Sequence, residues 1–258
     1  NPQHVNSHFV AGNLLHELGR FDEAMSEFNK TLALDPSDKR AIYNCSFIYL
    51  LRGDLPRGFA DYETRFQQKE LLQLPDFVDG KPMWDGSSLA GKTILIHAEQ
   101  GFGDVTQFIR YVPMLKKMGA KIVAECHAPL LEFLRQVEGI DEWLEDKKMI
   151  PHFDVHVPVL SLPHFLGTTL NNIPAKIPYL AADHEKIKQW QPDLKHGEMK
   201  IGFVWAGREG HVNDHNRSCE LSHFEKLMDV PGTVFYSLQK WRGEKELSEL
   251  MKKRSNII

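Results

Sequence analysis

Thr93-Ile94-Leu95-Ile96-His97-Ala98-Glu99-Gln100-Gly101-Phe102-Gly103-Asp104 passes from an apolar run into a glycine loop. Its first five residues are short, apolar and largely β-branched, the pattern of a buried strand. A glycine loop follows, and Val105, Phe108, Ile109 and Val112 then recur at helical spacing on one face. Gly119 ends that helix, and Lys121-Ile122-Val123-Ala124-Glu125 reads as the next strand. Strand, loop, helix and strand in that order predict a parallel pair joined by a crossover. The alternation continues with Pro129 to Val137 as helix, Trp143-Leu144 as a short strand and Phe153 to Val157 as an alternating strand. The expectation is a mostly parallel sheet covered on both faces.

Downstream, Pro174 to Glu198 holds three prolines and mixed charges, with a helix expected around Asp183 to Trp190. It reads as a bridge to a second α/β unit. That unit opens at Met199 with a strand from Lys200 to Trp205, a polar and basic loop, and a helix for which Ser222 and Glu225 form a capping box. Thr233 to Leu238 is a further strand, Lys245 to Lys253 a further helix, and Asn256-Ile257-Ile258 reads as the start of another strand. A parallel sheet with so few strands reads as incomplete.

Upstream, residues 5–68 repeat with a period of 34: Gly19 recurs as Gly53, Leu15 as Tyr49, Ala24 as Gly58 and Phe28 as Tyr62. Each unit places two apolar-periodic stretches around a Gly-Arg or Gly-Asp turn. Phe21-Asp22-Glu23-Ala24 starts the second helix, and Asp35-Pro36 stops it, because proline cannot continue a helix and forces its predecessor to extend. Gly12 and Ala24 are small where two antiparallel helices would cross. This resembles the tetratricopeptide repeat, with a good copy over 5–38 and a weaker one over 39–68. Residues 69–90 are rich in turn dipeptides and read as a connector docked by Trp84. The organisation expected is therefore α + α/β: helical repeats over 1–68, the connector 69–90, a first Rossmann-like domain over 91–180 and an incomplete second one over 181–258.

The chain has 258 residues, 42% of them hydrophobic and 26% charged, which is the range of folded globular proteins. A formal charge of −4 excludes the strongly basic footprint of a dedicated nucleic-acid binder. No apolar run approaches the roughly 18 residues of a membrane span. The polar start, Asn1 to His8, reads as carrying no secretory leader. Cys45, Cys126 and Cys219 are odd in number and widely spaced, so they form no disulfide framework, and a cytoplasmic, reducing setting is expected.

Two loops carry the chemistry. Gly101-Phe102-Gly103-Asp104 lies between a strand and a helix, where α/β sheets bind ligands and where glycines let the backbone approach closely. The dinucleotide G-x-G-x-x-G spacing fails, and an aspartate there would repel a pyrophosphate. Asp104 can serve as a general base toward a hydroxyl, or simply as the N-cap of its helix. The second loop, Trp205 through Ser218, carries Arg208 and Arg217 among small polar residues, and arginine forks match phosphate oxygens. Gln239 and Lys240 end the next strand on the same edge. His152, Asp154 and His156 share a strand face, and His211, Asp214 and His215 share the polar loop. Neither group has a zinc spacing, so no metal site is expected, and the strand histidines read as exposed. Trp84, Trp143, Trp190, Trp205 and Trp241 read as core or interface residues.

Trp84-Asp85-Gly86, Gly91-Lys92-Thr93 and His97 through Asp104, in that order, resemble bacterial tetratricopeptide-repeat proteins fused to a glycosyltransferase domain similar to the family 9, heptosyltransferase-like enzymes. Phe153-Asp154-Val155-His156, Ser161-Leu162-Pro163, Gly167-Thr168-Thr169, Val204-Trp205-Ala206-Gly207, Asn213-Asp214, Asn216-Arg217-Ser218 and Ser237-Leu238-Gln239-Lys240 extend the match over nearly the whole chain. The resemblance implies a GT-B architecture, two Rossmann-like domains facing across a cleft, with inverting transfer from a nucleotide sugar and no metal or other cofactor. It places the catalytic base on Asp104 and the acceptor-side loop on Gly101, Gly103 and Gln107. The nucleotide-sugar contacts fall on Gly207, Arg208, Asn216, Arg217, Ser218 and Lys240. Asn216 departs from the basic pair expected there, and the family's further Asp-Thr-x-x-x-His-type loop belongs beyond Ile258. The partners implied are a nucleotide sugar, an acceptor glycan or protein, and a protein held in the repeat groove. The rival expectation is a non-catalytic repeat scaffold with a degenerate transferase domain.

Overall fold

The structure, a computed structural model, describes residues 4–68, 74–147, 149–194, 199–207, 209–211, 213–240 and 242–258. They fall into two compact units, Asn1–Ala181 and Ala182–Ile258.

The first unit opens with α1 (Val5–Glu17), α2 (Phe21–Leu34), α3 (Lys39–Leu51) and α4 (Leu55–Tyr62). The repeat is visible in its turns. Gly19 and Gly53 stand at φ +72° and +81°, a left-handed step that glycine takes without steric cost. Each turn closes with the same long bond, Arg20 N–H to the Leu15 carbonyl (2.9 Å) and Asp54 N–H to that of Tyr49 (3.0 Å). Gly12 meets Phe28 so closely that a Cβ would lie 2.5 Å from the ring, which is why the crossing residue is small. Ala24, Phe28, Ala41, Cys45 and Ile48 seal the centre of the helices. Asp38 caps α3, accepting from the Arg40 and Ala41 amides at 3.0 and 3.2 Å.

After α4 a 3-10 stretch, Glu63–Gln67, leads toward the α/β part. That part comprises β1 (Thr93–His97), α5 (Phe102–Phe108), α6 (Val112–Lys117), β2 (Lys121–Ala124), α7 (Ala128–Leu134), β3 (Glu142–Trp143), β4 (Val155–Pro158) and α8 (Leu162–Phe165). The strands form one parallel sheet in the order β3-β2-β1-β4. The single helix expected across Val105 to Val112 is broken by a 3-10 turn, Ile109–Tyr111. Pro113 has no amide to continue the ladder, so the helix restarts with proline in its first turn. Val105, Ile109 and Val112 are nonetheless buried together over Ile94, Ile96 and Ile122. Leu95 and Val123 on the opposite face are covered by Val78, Leu144 and Phe153, from the connector and loops instead of helices. Trp84 docks the connector: its amide donates to the His156 carbonyl (2.8 Å) and its indole Nε1 to the Ser87 carbonyl (2.8 Å).

In the second unit, α9 (His184–Trp190) is capped by Asp183, and β5 (Met199–Phe203) pairs in parallel with β6 (Thr233–Ser237). Ile257 bridges Phe235 in parallel, so the chain end extends this sheet as expected. Phe203, Trp205, Met228, Phe235 and Leu250 form its core, the last from α10 (Glu244–Lys253). The Ser222–Glu225 capping box does not form. The segment is a pair of 3-10 turns, Leu221–Phe224 and Leu227–Asp229, and the Ser222 hydroxyl donates to Glu220 (3.2 Å). Val230 is extended ahead of Pro231 and ends the segment after Asp229. Trp190 is 66% exposed on α9 and so is not a core residue, and Trp241 lies outside the described residues.

Among the described residues no helix is long and apolar enough to cross a membrane. All three cysteines are free; Cys45 and Cys126 are buried, and burial pushes their thiols up to about 12 and about 11.

Candidate functional site

In the first unit β2 and β4 flank β1 on opposite sides, so the loops after β1 and β4 part company at the place where open α/β sheets hold ligands. That crevice is filled by the chain itself. Arg65, 1% exposed, comes from the end of the repeats and grips Glu99, just after β1, through Nε (2.7 Å) and Nη2 (2.9 Å). Nη2 also donates to the Ser161 hydroxyl after β4 (2.7 Å), and Nη1 to Glu63 (2.5 Å). Ser161 in turn donates to Glu63 (2.9 Å). Burial works against the guanidinium's charge, but Glu99 and Glu63 outweigh it and raise the pKa.

The open chemistry is displaced to the loops after β1 and β2. Gln100 holds φ +61°, a left-handed conformation rare for a residue with a Cβ. Its amide Nε2 donates to the Tyr62 hydroxyl, and its carbonyl accepts from His127 Nε2 (2.9 Å). Gly101 then turns its N–H onto Asp104 Oδ2 (2.9 Å). Asp104 is therefore not the N-cap; Gly101 holds that position and Asp104 reaches back from the third residue of α5. Asp104 is half-buried, and its Oδ1 has no partner among the described residues. A Cβ on Gly101 would sit 3.1 Å from Asp104 Oδ2, so this glycine closes the loop; one on Gly103 would meet nothing within 4 Å. Phe102 packs its ring on His127 at 5.1 Å, and Gln107 is exposed on α5, one turn beyond Asp104.

Gln100, Tyr62 and His127 were not legible as site residues. Gln100 stands beside the glycines without being one, and its partners lie 38 and 27 residues away. The strand histidines also differ from expectation. His152 and Asp154 are exposed, but His156 is 2% exposed and its Nδ1 meets His97 Nε2 (3.2 Å) in the sheet. Burial first, and His156 second, push His97 down to about 3, so the pair is neutral. Among the described residues no three His, Cys, Asp or Glu side chains gather as metal ligands.

In the second unit the loop after β5 is tied by its own side chains and by residues that follow β6. Gln239 Oε1 accepts from the Trp205 (3.2 Å) and Ala206 (3.0 Å) amides, and Gly207 N–H donates to Ser218 Oγ (2.9 Å). Ser218 donates onward to Asp214 Oδ1 (2.6 Å), whose Oδ2 receives Arg242 (2.6 Å). Hydrogen bonds from Ser218 and then Arg242 hold the Asp214 carboxyl below its ordinary range. These amides are spent on side chains, so the cationic work of the loop falls to side chains too. Arg217 is exposed, and its Cζ would lie 3.9 Å from a Cβ on Gly207. Asn216 is occupied within the loop, donating to Asn213 (2.7 Å), and Lys240 is exposed past the end of β6. Arg208 lies outside the described residues. A cavity of about 290 Å³ opens beside this cluster, lined by Trp205, Asp214, Ser218, Arg242 and Glu246 among others.

No family model matches the chain. FlbA of Caulobacter vibrioides is 23% identical over 228 residues, an alignment taking in 78% of this chain and 37% of FlbA. The chain thus spans little more than a third of that relative's length. An O-GlcNAc transferase of Thermobaculum terrenum, solved as a point mutant, is similar at a TM-score of 0.24 and 14% identity, over 58% of this chain and 36% of that one.

Proposed function

We propose that the chain is the repeat-bearing part of an inverting glycosyltransferase that moves a sugar from a nucleoside diphosphate to an acceptor hydroxyl. The observation that carries this reading is the loop after β5. It is braced by Asp214, Ser218 and Arg242, leaves the Arg217 guanidinium exposed beside Gly207, and borders a cavity rich in hydrogen-bonding groups. A polar pocket next to an exposed guanidinium suits a sugar or ribose beside a diphosphate. Gly207, Arg208, Asn216, Arg217, Ser218 and Lys240 make up the donor side in this reading, and Gly101, Gly103, Asp104 and Gln107 the acceptor side.

Asp104 Oδ1 takes the proton of the acceptor hydroxyl as its oxygen bonds to the anomeric carbon. The bond from that carbon to the diphosphate oxygen breaks, its electron pair leaves with the diphosphate, and Arg217 and Lys240 meet the added charge. No metal or cofactor enters the scheme. The repeats dock a protein partner or acceptor along their groove.

The test counts nucleoside diphosphate released from a panel of nucleotide sugars with hydroxyl-bearing glycans and peptides. Asp104→Asn is expected to lower kcat about 100-fold or more while leaving donor KM near its starting value. Undiminished turnover in that variant removes Asp104 as the base, and no release from any donor contradicts the reading itself.

A further inference from the structure

We infer that the last turn of the repeats shapes the acceptor-side loop, with Tyr62 as a positioning residue that acts through Gln100 to place Asp104. The functional meaning rests on the reading of Asp104 given above, whereas the placement is a property of the chain without substrate.

Consecutive residues of the loop are held from the same side. Arg65 fixes the Glu99 carboxylate with two bonds, and Tyr62 takes the Gln100 side chain. Tyr62 is itself immobile: it is 7% exposed, stacked on Tyr43 at 5.5 Å, met edge-on by Phe47 at 5.9 Å, and covered by the Arg65 guanidinium at 4.5 Å. Its hydroxyl is a fixed point supplied by the repeats. With Glu99 and Gln100 both anchored, the backbone between them and Gly101 turns left-handed at Gln100. That turn delivers the Gln100 carbonyl to His127 and the Gly101 N–H to Asp104 Oδ2.

A residue with a Cβ does not keep a positive φ without surroundings that enforce it. Freed from Tyr62, Gln100 relaxes toward negative φ and the following peptide rotates. Gly101 then loses its hold on the carboxylate, and Asp104 loses the contact that orients it. The sheet needs none of this, since β1 is held by its ladders to β2 and β4. The two levels are therefore separable.

The experiment is amide hydrogen exchange on the whole chain, comparing wild type, Tyr62→Phe and the double variant Tyr62→Phe with Gln100→Gly. Tyr62→Phe removes the hydroxyl and keeps the packed ring. The Gly101 amide is expected to exchange about three- to tenfold faster in it, the worth of one hydrogen bond, while Leu95 and Val123 stay as protected as before. Adding Gln100→Gly removes the steric cost of positive φ at that position and restores protection at Gly101 in the double variant. In a turnover assay Tyr62→Phe lowers kcat and leaves donor KM unchanged.

Unchanged exchange at Gly101 overturns the inference. So does a loss spread equally over β1, which makes Tyr62 a packing residue only. A chain with the expected exchange pattern but no sugar transfer keeps this inference and loses the transferase reading. A chain that transfers sugar with Gly101 undisturbed in Tyr62→Phe does the reverse.

Discussion

His97 shows how one side chain ties stability to pH. Burial holds its imidazole at about 3, against 6.5 for the unfolded chain, and burial lowers His156 as well. Between those values the unfolded chain binds a proton that the folded chain refuses, so protons favour unfolding. The stability contributed is fully present above about pH 6.5 and is lost as pH falls toward 3, by up to about 1.4 kcal/mol per unit for His97. Urea midpoints at pH 7 and pH 5 measure this. The wild type is expected to be clearly weaker at pH 5, and His97→Phe to flatten the difference; a wild type equally stable at both would contradict the neutral buried pair. The alternation of His152, Asp154 and His156 predicts one strand for all three, whereas β4 begins at Val155 and takes only His156, which His97 of the neighbouring β1 meets.

At the scale of elements, the join between the repeats and the sheet rests on a charge cluster. Arg65→Met leaves Glu99 buried without a partner and is expected to cost about 3–5 kcal/mol in chemical unfolding. Adding Glu99→Leu removes the stranded charge and should recover much of that loss, because a buried ion pair is often replaceable by apolar packing. A double variant as unstable as the single one would show that the cluster acts through shape alone. Much at this scale was legible in the sequence: the glycine turns at Gly19 and Gly53, the small crossing residue Gly12, the proline stop at Pro36 and the buried strand Thr93–His97 are local signals with local causes. The cluster was not. Arg65 meets Glu99 across 34 residues and Ser161 across 96, and no periodicity records such a pairing. The capping box failed because the Ser222 hydroxyl turns to Glu220 and the segment runs as 3-10 turns.

For the whole molecule, the two candidate loops stand in different units and are braced by different means. The loop after β1 in Asn1–Ala181 is set by the repeats, and the loop after β5 in Ala182–Ile258 by its own Ser218 and Asp214 together with Gln239 and Arg242 from beyond β6. Strand-loop-helix order was legible for the loop after β1 and only strand and loop for that after β5, and what holds either was not legible, because bracing is a tertiary property. In the proposed function the second unit takes a nucleoside diphosphate and its sugar. A thermal-shift titration of the chain with nucleoside diphosphates and nucleotide sugars, repeated with Arg217→Ala, tests it most directly. A saturable rise in Tm with one nucleotide is expected, equivalent to about 2.7 kcal/mol at a hundredfold excess over Kd, with a right-shifted curve for Arg217→Ala. A Tm that stays flat with every nucleotide, or a rise that Arg217→Ala leaves unchanged, would contradict it.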